Sequence, residues 1–325
     1  MEGASINCTT FNITFQNSTI MLRTTVRLII ILLLSGISCQ GIFGSTMSDM
    51  GTEGDTLIGP SKGALVIVGG ALRDTNIILK FIELAGGKDA TIVVIPTANG
   101  QENPDPERTV GFITRLGATN VKMIHTNDPE IANTEEFVKP IRQANGVWFK
   151  GGRQWRIVDA YGGTLTETEF QKVLERGGVI GGSSAGATIQ GTYLARGDTR
   201  TNTIMMGDHE RGFNYLKKTA IDQHILKRNR QFDLIEIIEA YPHLLGIGLD
   251  ENTAIIVKGN TMEVLGQSFV AIYDYNLWEE NRPDDTEPIL ENGGKFYLLA
   301  PGDMFDLFHR KAIHLVGGDR GIPVK

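Results

Sequence analysis

A serine in a glycine-rich turn is the side chain of this sequence best suited to covalent chemistry. From Val179 to Thr188 the chain reads VIGGSSAGAT, an apolar run followed by two serines and small residues. Strand, sharp turn and helix is the geometry that exposes a serine nucleophile above a parallel sheet, with the helix N-terminus facing the developing negative charge. We interpret Ser184 as the nucleophile, with Ser183 as the alternative. A phosphate-cradling turn, or a purely structural one, also fits this spacing.

A serine nucleophile needs a base to accept its proton and a carboxylate to orient that base. The chain has six histidines, and their spacing does not select among them. His224 lies in a dense polar cluster, after Asp222 and Gln223 and before an apolar run. The alternative for this cluster is a solvent-exposed helix start capped by Asp222. Asp250 and Glu251 end a predicted strand and offer the acid, unless they are only a turn pair.

Composition limits the classes of function. The chain has 325 residues, of which 41% are hydrophobic and 21% charged, enough for one large α/β domain or two small ones. Its net charge of −7 argues against nucleic acid as a partner, because phosphate binding needs clustered Lys and Arg. Both cysteines, Cys8 and Cys39, precede residue 40, so the rest of the chain offers no disulfide, cysteine metal site or cysteine nucleophile.

Apolar strands and helices alternate through the first half of the folded region. The predicted strands, with their turns, are 63–70, 90–96, 121–125, 146–154 and 179–184, and the predicted helices are 76–85, 108–116, 135–144, a segment ending near residue 161, and 166–176. This order predicts a doubly wound α/β/α sandwich with a mostly parallel sheet and its site at the carboxyl ends of the strands. Toward the C-terminus we predict a helix at 232–240 and antiparallel strands. The Gly69-Gly70 turn lacks the spacing of a nucleotide site.

The first 39 residues resemble an export signal. A basic stretch at 21–27 precedes a Leu/Ile run at 28–34 that is too short to span a membrane. Cys39 predicts a lipid anchor, with ordinary signal cleavage as the alternative, and Met21 is a candidate start. Residues 40–61 are predicted to be a flexible tether and 62–325 a single domain. The expected location is periplasmic, outer-membrane-attached or secreted.

Four stretches together resemble the cyanophycinase and aspartyl-dipeptidase family of serine peptidases. They are 149–154 (FKGGRQ), 181–187 (GGSSAGA), 222–224 (DQH) with Arg228 and Arg230, and 249–254 (LDENTA). The resemblance implies a fold similar to class I glutamine amidotransferases, with serine in place of cysteine. It implies Ser184 as nucleophile, His224 as base and Glu251 as orienting acid.

The resemblance also implies how substrate is held. The backbone N–H groups of Gly152 and Ala185 would bind the oxyanion. The implied substrate-binding side chains are Gln154, Asp222, Gln223, Arg228 and Arg230. Arginines beside a serine triad suit a substrate with free carboxylates. No metal or cofactor is implied, and a homodimer is expected on family grounds only.

The chain departs from the family pattern at three positions. Arg153 stands where the family usually has Asp or Asn, Ile225 where it has Phe, and Asp233 where it has an arginine. We expect a serine peptidase that cleaves peptide or isopeptide bonds at aspartyl residues, in cyanophycin (an Asp backbone carrying β-linked Arg) or in β-aspartyl peptides. The alternatives are an exopeptidase or amidase of the same fold acting on other Asp-containing peptides, and a catalytically silent binding protein.

Overall fold

The computed structural model describes residues 56–280 and 295–317. The predicted leader, the candidate anchor Cys39 and the predicted tether up to residue 55 lie outside these residues. Within the described ranges, no helix is long and apolar enough to cross a membrane.

The strands of the described ranges form two sheets. In chain order they are β1 (Ala64–Val68), β2 (Ile92–Ile95), β3 (Val121–Met123), β4 (Gly146–Phe149), β5 (Val179–Ser183), β6 (Thr219–Gln223), β7 (Leu245–Leu249), β8 (Thr253–Lys258), β9 (Thr261–Gly266), β10 (Val270–Asp274), β11 (Tyr297–Leu299), β12 (Met304–Asp306) and β13 (Lys311–His314). The larger sheet has the order β13-β12-β9-β8-β1-β5-β4-β2-β3, and the smaller has the order β11-β10-β7-β6.

The larger sheet is parallel in one half and antiparallel in the other. Strands β1, β5, β4, β2 and β3 run parallel, as expected for apolar strands joined by helices. Beyond β1, strands β8, β9, β12 and β13 pair antiparallel. The predicted α/β sandwich with C-terminal antiparallel strands is confirmed. The sequence gives no sign that β7 and β10 belong to a separate sheet, in which only β6 and β7 are parallel.

The helices of the described ranges are α1 (Thr75–Leu84), α2 (Pro106–Thr114), α3 (Pro129–Ala132), α4 (Glu135–Arg142), α5 (Trp155–Tyr161), α6 (Leu165–Glu175), α7 (Ala185–Thr188), α8 (Asp233–Ala240) and α9 (Tyr275–Glu280). Helix α8 contacts β6, β7 and β10 of the smaller sheet, whereas α1 and α6 cover opposite faces of the parallel half of the larger sheet. Neighbouring side chains of β4 point to opposite faces of the sheet. Trp148 lies edge-on to Phe81 of α1, with ring centroids 4.9 Å apart, and Phe149 meets Phe170 of α6 at 4.9 Å. Each face therefore has its own buried apolar layer.

The end of the predicted tether lies against the domain. Ile58 is buried, its N–H donates to Asn260 Oδ1 at 2.8 Å, and its carbonyl accepts from the Lys217 N–H at 2.8 Å. The expectation of a tether up to residue 61 is therefore wrong for residues 56–61. The reason is that the side chain of Ile58 fills a core position, and the Gly/Ser/Thr-rich composition of the segment does not indicate this.

Candidate active site

Ser184 occupies a strained turn between β5 and α7. Its backbone has φ 57° and ψ −114°, a region that residues with a side chain rarely adopt. Its N–H donates to the Val68 carbonyl at 2.9 Å, which ties the turn to the end of β1. The small neighbours are required by space, because a Cβ on Gly182 would lie 2.1 Å from the Gly186 carbonyl oxygen, and one on Gly186 would lie 2.1 Å from that of Phe149.

The ring of His224 faces this serine. His224 follows β6 directly, and its Nε2 lies 3.0 Å from Ser184 Oγ. This distance distinguishes Ser184 from Ser183, which ends β5. Asp222 and Gln223 lie on a buried strand, so the alternative of a solvent-exposed helix start capped by Asp222 is wrong. Strand β6 has five residues and ends in Asp222 and Gln223, so its sequence lacks the alternation of apolar and polar residues that would predict a strand.

The Gly69-Gly70 turn holds the histidine. The His224 N–H donates to the Gly69 carbonyl at 3.0 Å. Gly70 has φ +118°, and a Cβ at this position would lie 2.1 Å from His224 Cε1. The turn that lacked nucleotide-binding spacing therefore forms the surface against which the ring packs. Sequence reasoning gave this turn no role.

Glu251 and Asp250 have different partners. Glu251 Oε1 lies 2.7 Å from His224 Nδ1. Asp250 accepts hydrogen bonds from the backbone N–H groups of Leu226 and Lys227, at 3.1 and 2.9 Å, and from the Ser268 hydroxyl at 2.7 Å. The structure thus brings Ser184, His224 and Glu251 into one hydrogen-bonded chain. Asp250 fixes the loop that follows the histidine.

The surroundings of His224 favour the neutral form of its imidazole. Burial is the largest influence and lowers its pKa below the ordinary 6.5, and the nearby charges of Arg228 and Arg230 act in the same direction. The hydrogen bond and negative charge of Glu251 oppose this shift without reversing it. A neutral imidazole bound to a serine hydroxyl can accept its proton.

Two backbone N–H groups near the serine are available as donors. Ala185 is the first residue of α7, and Gly152 lies in the turn after β4. Neither N–H donates a hydrogen bond to another group in the described ranges. The neighbouring Gly151 closely approaches the serine, because a Cβ there would lie 3.2 Å from Ser184 Cβ. A Cβ on Gly152, which has φ +149°, would lie 1.9 Å from the Ala98 carbonyl oxygen, so this position requires glycine.

Two guanidinium groups lie on the histidine side of the site. Arg228 is exposed, and Arg230 is half-buried. Arg230 Nη1 lies 3.4 Å from both the carbonyl and the side-chain oxygen of Gln223. Burial, followed by the charge of Arg196, lowers the pKa of Arg230. Among the described residues, no carboxylate forms a salt bridge with Arg228 or Arg230, so both are available to an anionic group.

Asp222 forms a salt bridge with Arg196, a residue that the sequence did not indicate. Arg196 binds both carboxylate oxygens of Asp222, with Nε–Oδ1 at 2.8 Å and Nη2–Oδ2 at 3.0 Å, and its Nη2 also contacts Asp233. Asp222 is fully buried, and its role in binding substrate stays a prediction. Arg196 lies in the irregular segment between α7 and β6, where no periodicity or motif marks it. Arg196 supplies a positive charge beside Asp233, the position at which the family pattern has an arginine.

Gln154 and Arg153 anchor the segment that carries Arg196. Gln154 Nε2 donates to the Ala195 carbonyl at 2.6 Å, while its buried Oε1 has no hydrogen-bond partner in the described part of the chain. The Arg153 guanidinium donates to the carbonyls of Asp198 and Thr201. Arg153, which replaces the Asp or Asn of the family pattern, is therefore held by hydrogen bonds to backbone carbonyls. No cluster of three or more His, Cys, Asp or Glu side chains in the described ranges could hold a metal ion.

An α/β sandwich that places a serine hydroxyl against a histidine ring at the carboxyl ends of its strands is typical of serine hydrolases. Comparison with known proteins narrows this class. Residues 53–265 match peptidase family S51, so the chain belongs to that family and is a serine-type peptidase. The family resemblance seen in the four motifs is confirmed.

Relatives of known name cover most of the chain. The cyanophycinase of Nostoc sp. is 28% identical over 270 residues, which span 79% of this chain and 89% of the relative. The cyanophycinase of Synechococcus elongatus is 29% identical over 267 residues, 78% of this chain and 82% of the relative. The crystal structure of a peptidase from an acI-B1 Actinobacterium is similar in fold, with a TM-score of 0.55 at 22% identity, covering 77% of this chain and 98% of the other.

Proposed function

We propose that this peptidase hydrolyses peptide or isopeptide bonds at aspartyl residues, in cyanophycin or in β-aspartyl peptides. One observation carries the proposal. The Ser184–His224–Glu251 chain, with contacts of 3.0 and 2.7 Å, lies beside Arg228 and Arg230, for which no carboxylate partner is found in the described ranges. Guanidinium groups bind carboxylates in bidentate geometry, which suits an acidic residue next to the bond that is cleaved.

The proposed reaction proceeds through an acyl-enzyme. Ser184 Oγ attacks the carbonyl carbon while His224 Nε2 takes the hydroxyl proton, and Glu251 keeps the proton on Nδ1 so that Nε2 remains an acceptor. The N–H groups of Gly152 and Ala185 stabilise the negative charge on the carbonyl oxygen. His224 then gives its proton to the leaving amine. Water, activated by the same histidine, hydrolyses the ester.

The charge reversal at Asp233 is the main argument against cyanophycin as substrate. The contact between Asp233 and Arg196 weakens this argument, because the added carboxylate meets a guanidinium from another segment of the chain. Arg196 is shared by Asp222 and Asp233, which leaves Arg228 and Arg230 without a carboxylate partner in the described ranges. An acidic substrate can therefore meet two guanidinium groups that no described carboxylate neutralises.

The test compares the purified wild-type protein with Ser184→Ala. Hydrolysis of insoluble cyanophycin and of β-aspartyl dipeptides is measured for both, and a fluorophosphonate probe reports whether Ser184 is reactive. We expect the wild type to hydrolyse at least one of these substrates and the variant to hydrolyse none. Full hydrolysis by Ser184→Ala would overturn the proposal.

The same test separates the alternatives. Labelling of Ser184 with hydrolysis of only α-linked Asp-containing peptides would indicate an exopeptidase or amidase of this fold. Failure of both labelling and hydrolysis would indicate a silent binding protein. We further propose that the enzyme acts after export, on the basis of the leader pattern in residues 21–39. Detection of the full-length precursor in the cytoplasmic fraction alone would contradict export.

A further inference from the structure

A cavity of about 380 Å³ opens beside the nucleophile, on the face of the sheet covered by α1 and α2. Its size lies toward the lower end of the range of about 300–1,000 Å³ for ligand pockets. Gly151 and Ser183, the chain neighbours of Gly152 and Ser184, line its inner end. A Cβ on Gly151 would lie 3.7 Å from Ser184 Oγ, so the missing side chain leaves the cavity open toward the reacting atoms.

One wall of this cavity is apolar. It is formed by Leu72, Ile78, Phe112, Leu116 and Trp148. The rings of Phe112 and Trp148 lie 5.6 Å apart in a tilted arrangement. Such a wall suits an aromatic or branched aliphatic side chain, because burial of apolar surface is favourable and non-directional.

The rest of the lining is mainly cationic. Arg73, Arg115 and Lys150 line the cavity together with one carboxylate, Asp74. Asp74 is already used as a helix cap and accepts from the Asn76 N–H at 2.9 Å. No salt bridge of these three cations to a described residue is found.

Lys150 is the cation nearest to the sheet. Its Nζ donates to the Thr109 carbonyl at 3.2 Å and lies 5.4 Å from the centre of the Phe112 ring. Burial, followed by the charge of Arg108, lowers the pKa of Lys150. A carboxylate that enters the cavity would relieve this repulsion.

We propose that this cavity binds the residue on the leaving-group side of the scissile bond, and that it selects a C-terminal residue with an apolar side chain. The apolar wall takes the side chain, and Arg73, Arg115 and Lys150 bind its free carboxylate. The proposal rests on the proposed function, in which Arg228 and Arg230 bind the acidic residue on the other side of Ser184. An arginyl side chain is disfavoured here, because its guanidinium would enter an apolar pocket bordered by three cations.

The test uses a set of β-aspartyl dipeptides with the purified protein. We measure kcat/KM for β-Asp-Phe, β-Asp-Leu, β-Asp-Gly and β-Asp-Arg, and for β-Asp-Phe amide, which lacks the free carboxylate. We expect β-Asp-Phe to exceed both β-Asp-Gly and β-Asp-Arg by about tenfold or more, as is usual when a large apolar side chain is buried. The amide should be a poorer substrate than the free acid.

Two variants and a matched control assign the preference to the cavity. Phe112→Ala should lower the ratio of kcat/KM for β-Asp-Phe over β-Asp-Gly about tenfold. Arg115→Gln, at an exposed position, should reduce the preference for the free acid over the amide. Leu79→Ala removes an exposed apolar side chain of α1 outside the cavity and should leave both ratios unchanged. These ratios do not depend on how much active protein each variant yields.

The outcomes distinguish this proposal from the one on which it rests. Hydrolysis of β-Asp-Arg as fast as β-Asp-Phe would overturn the cavity proposal and leave an aspartyl peptidase in place. Unchanged ratios in Phe112→Ala and Arg115→Gln would overturn it in the same way. Failure to hydrolyse every β-aspartyl dipeptide and cyanophycin would overturn the proposed function, and the cavity proposal with it.

Discussion

Removal of Arg196 should destabilise the protein far more than removal of Asp233, its partly exposed partner. The Arg196 side chain is 2% exposed and that of Asp222 is 0% exposed, whereas that of Asp233 is 36% exposed. Arg196→Met leaves the Asp222 carboxylate buried without a cation. Asp233→Asn leaves Arg196 bound to Asp222 by two hydrogen bonds.

The expected magnitudes follow from this difference in burial. Breaking a buried ion pair by removing one partner costs about 3–5 kcal/mol of the free energy of unfolding. A partly exposed ion pair contributes about 1 kcal/mol or less. Replacing both buried partners by apolar side chains, in Arg196→Met/Asp222→Leu, should recover most of the loss, because no uncompensated charge then remains in the interior. In a domain of this size, the single variant Arg196→Met should melt roughly 6–20 °C below the wild type.

Urea unfolding followed by tryptophan fluorescence measures these free energies. The slope of the free energy with urea concentration should be the same in all four proteins, so that the midpoints report stability directly. We expect the order of stability to be wild type, Asp233→Asn, the double variant, and then Arg196→Met. Equal midpoints for Arg196→Met and Asp233→Asn, or a double variant less stable than Arg196→Met, would refute the idea that the unpaired charge of Asp222 causes the loss.

Three further predictions concern the histidine. The plot of kcat/KM against pH should fall on the acid side with an apparent pKa below 6.5, because burial lowers the pKa of His224. Arg228→Gln should move this fall to higher pH, because it removes a positive charge near the histidine. An acid limb that does not move in Arg228→Gln would contradict the electrostatic role of Arg228. Gly70→Ala should lower kcat at least about 100-fold, because the added Cβ displaces the His224 ring. The control is Gly87→Ala, which also has a positive φ but has no atom within 4 Å of the added Cβ, and it should keep its activity. Equal activity of the two variants would count against the contact between Gly70 and His224. Glu251→Gln should lower kcat by about 10⁴-fold, since an amide favours the wrong imidazole tautomer. A loss of less than tenfold in steady-state kinetics would remove Glu251 from the proposed triad.

The parallel half of the fold could be predicted because its signals are local. Strands β1, β2 and β4 are continuous apolar runs that are buried on both faces, and β1 and β4 are followed by glycine turns. The helices between them are amphipathic and end at glycine or at polar residues. Structure of this kind can be inferred without knowing which distant segments meet.

The division of the C-terminal strands between two sheets could not be predicted in this way. Strands β7 and β8 are separated by three residues and have similar apolar composition, yet β7 pairs with β6 and β10, while β8 pairs with β1 and β9. This choice depends on pairings that are far apart in sequence. Arg196 was missed for a related reason, because its significance lies only in its distance from Asp222 and Asp233.

The position of Glu251 shows why the weakly patterned half of the chain matters for the site. Ser184 directly follows a strand of the larger sheet, whereas His224 directly follows a strand of the smaller one. Glu251 lies in the three-residue connection through which the chain passes from β7 in the smaller sheet to β8 in the larger. In the same connection, the Asn252 N–H donates to the Gly70 carbonyl at 2.8 Å, and the Asn252 side chain accepts from two N–H groups at the start of α1. The connection that contains Glu251 therefore also fixes the Gly69-Gly70 turn, against which His224 packs. The 3.0 and 2.7 Å contacts of the candidate triad thus depend on how the two sheets are joined.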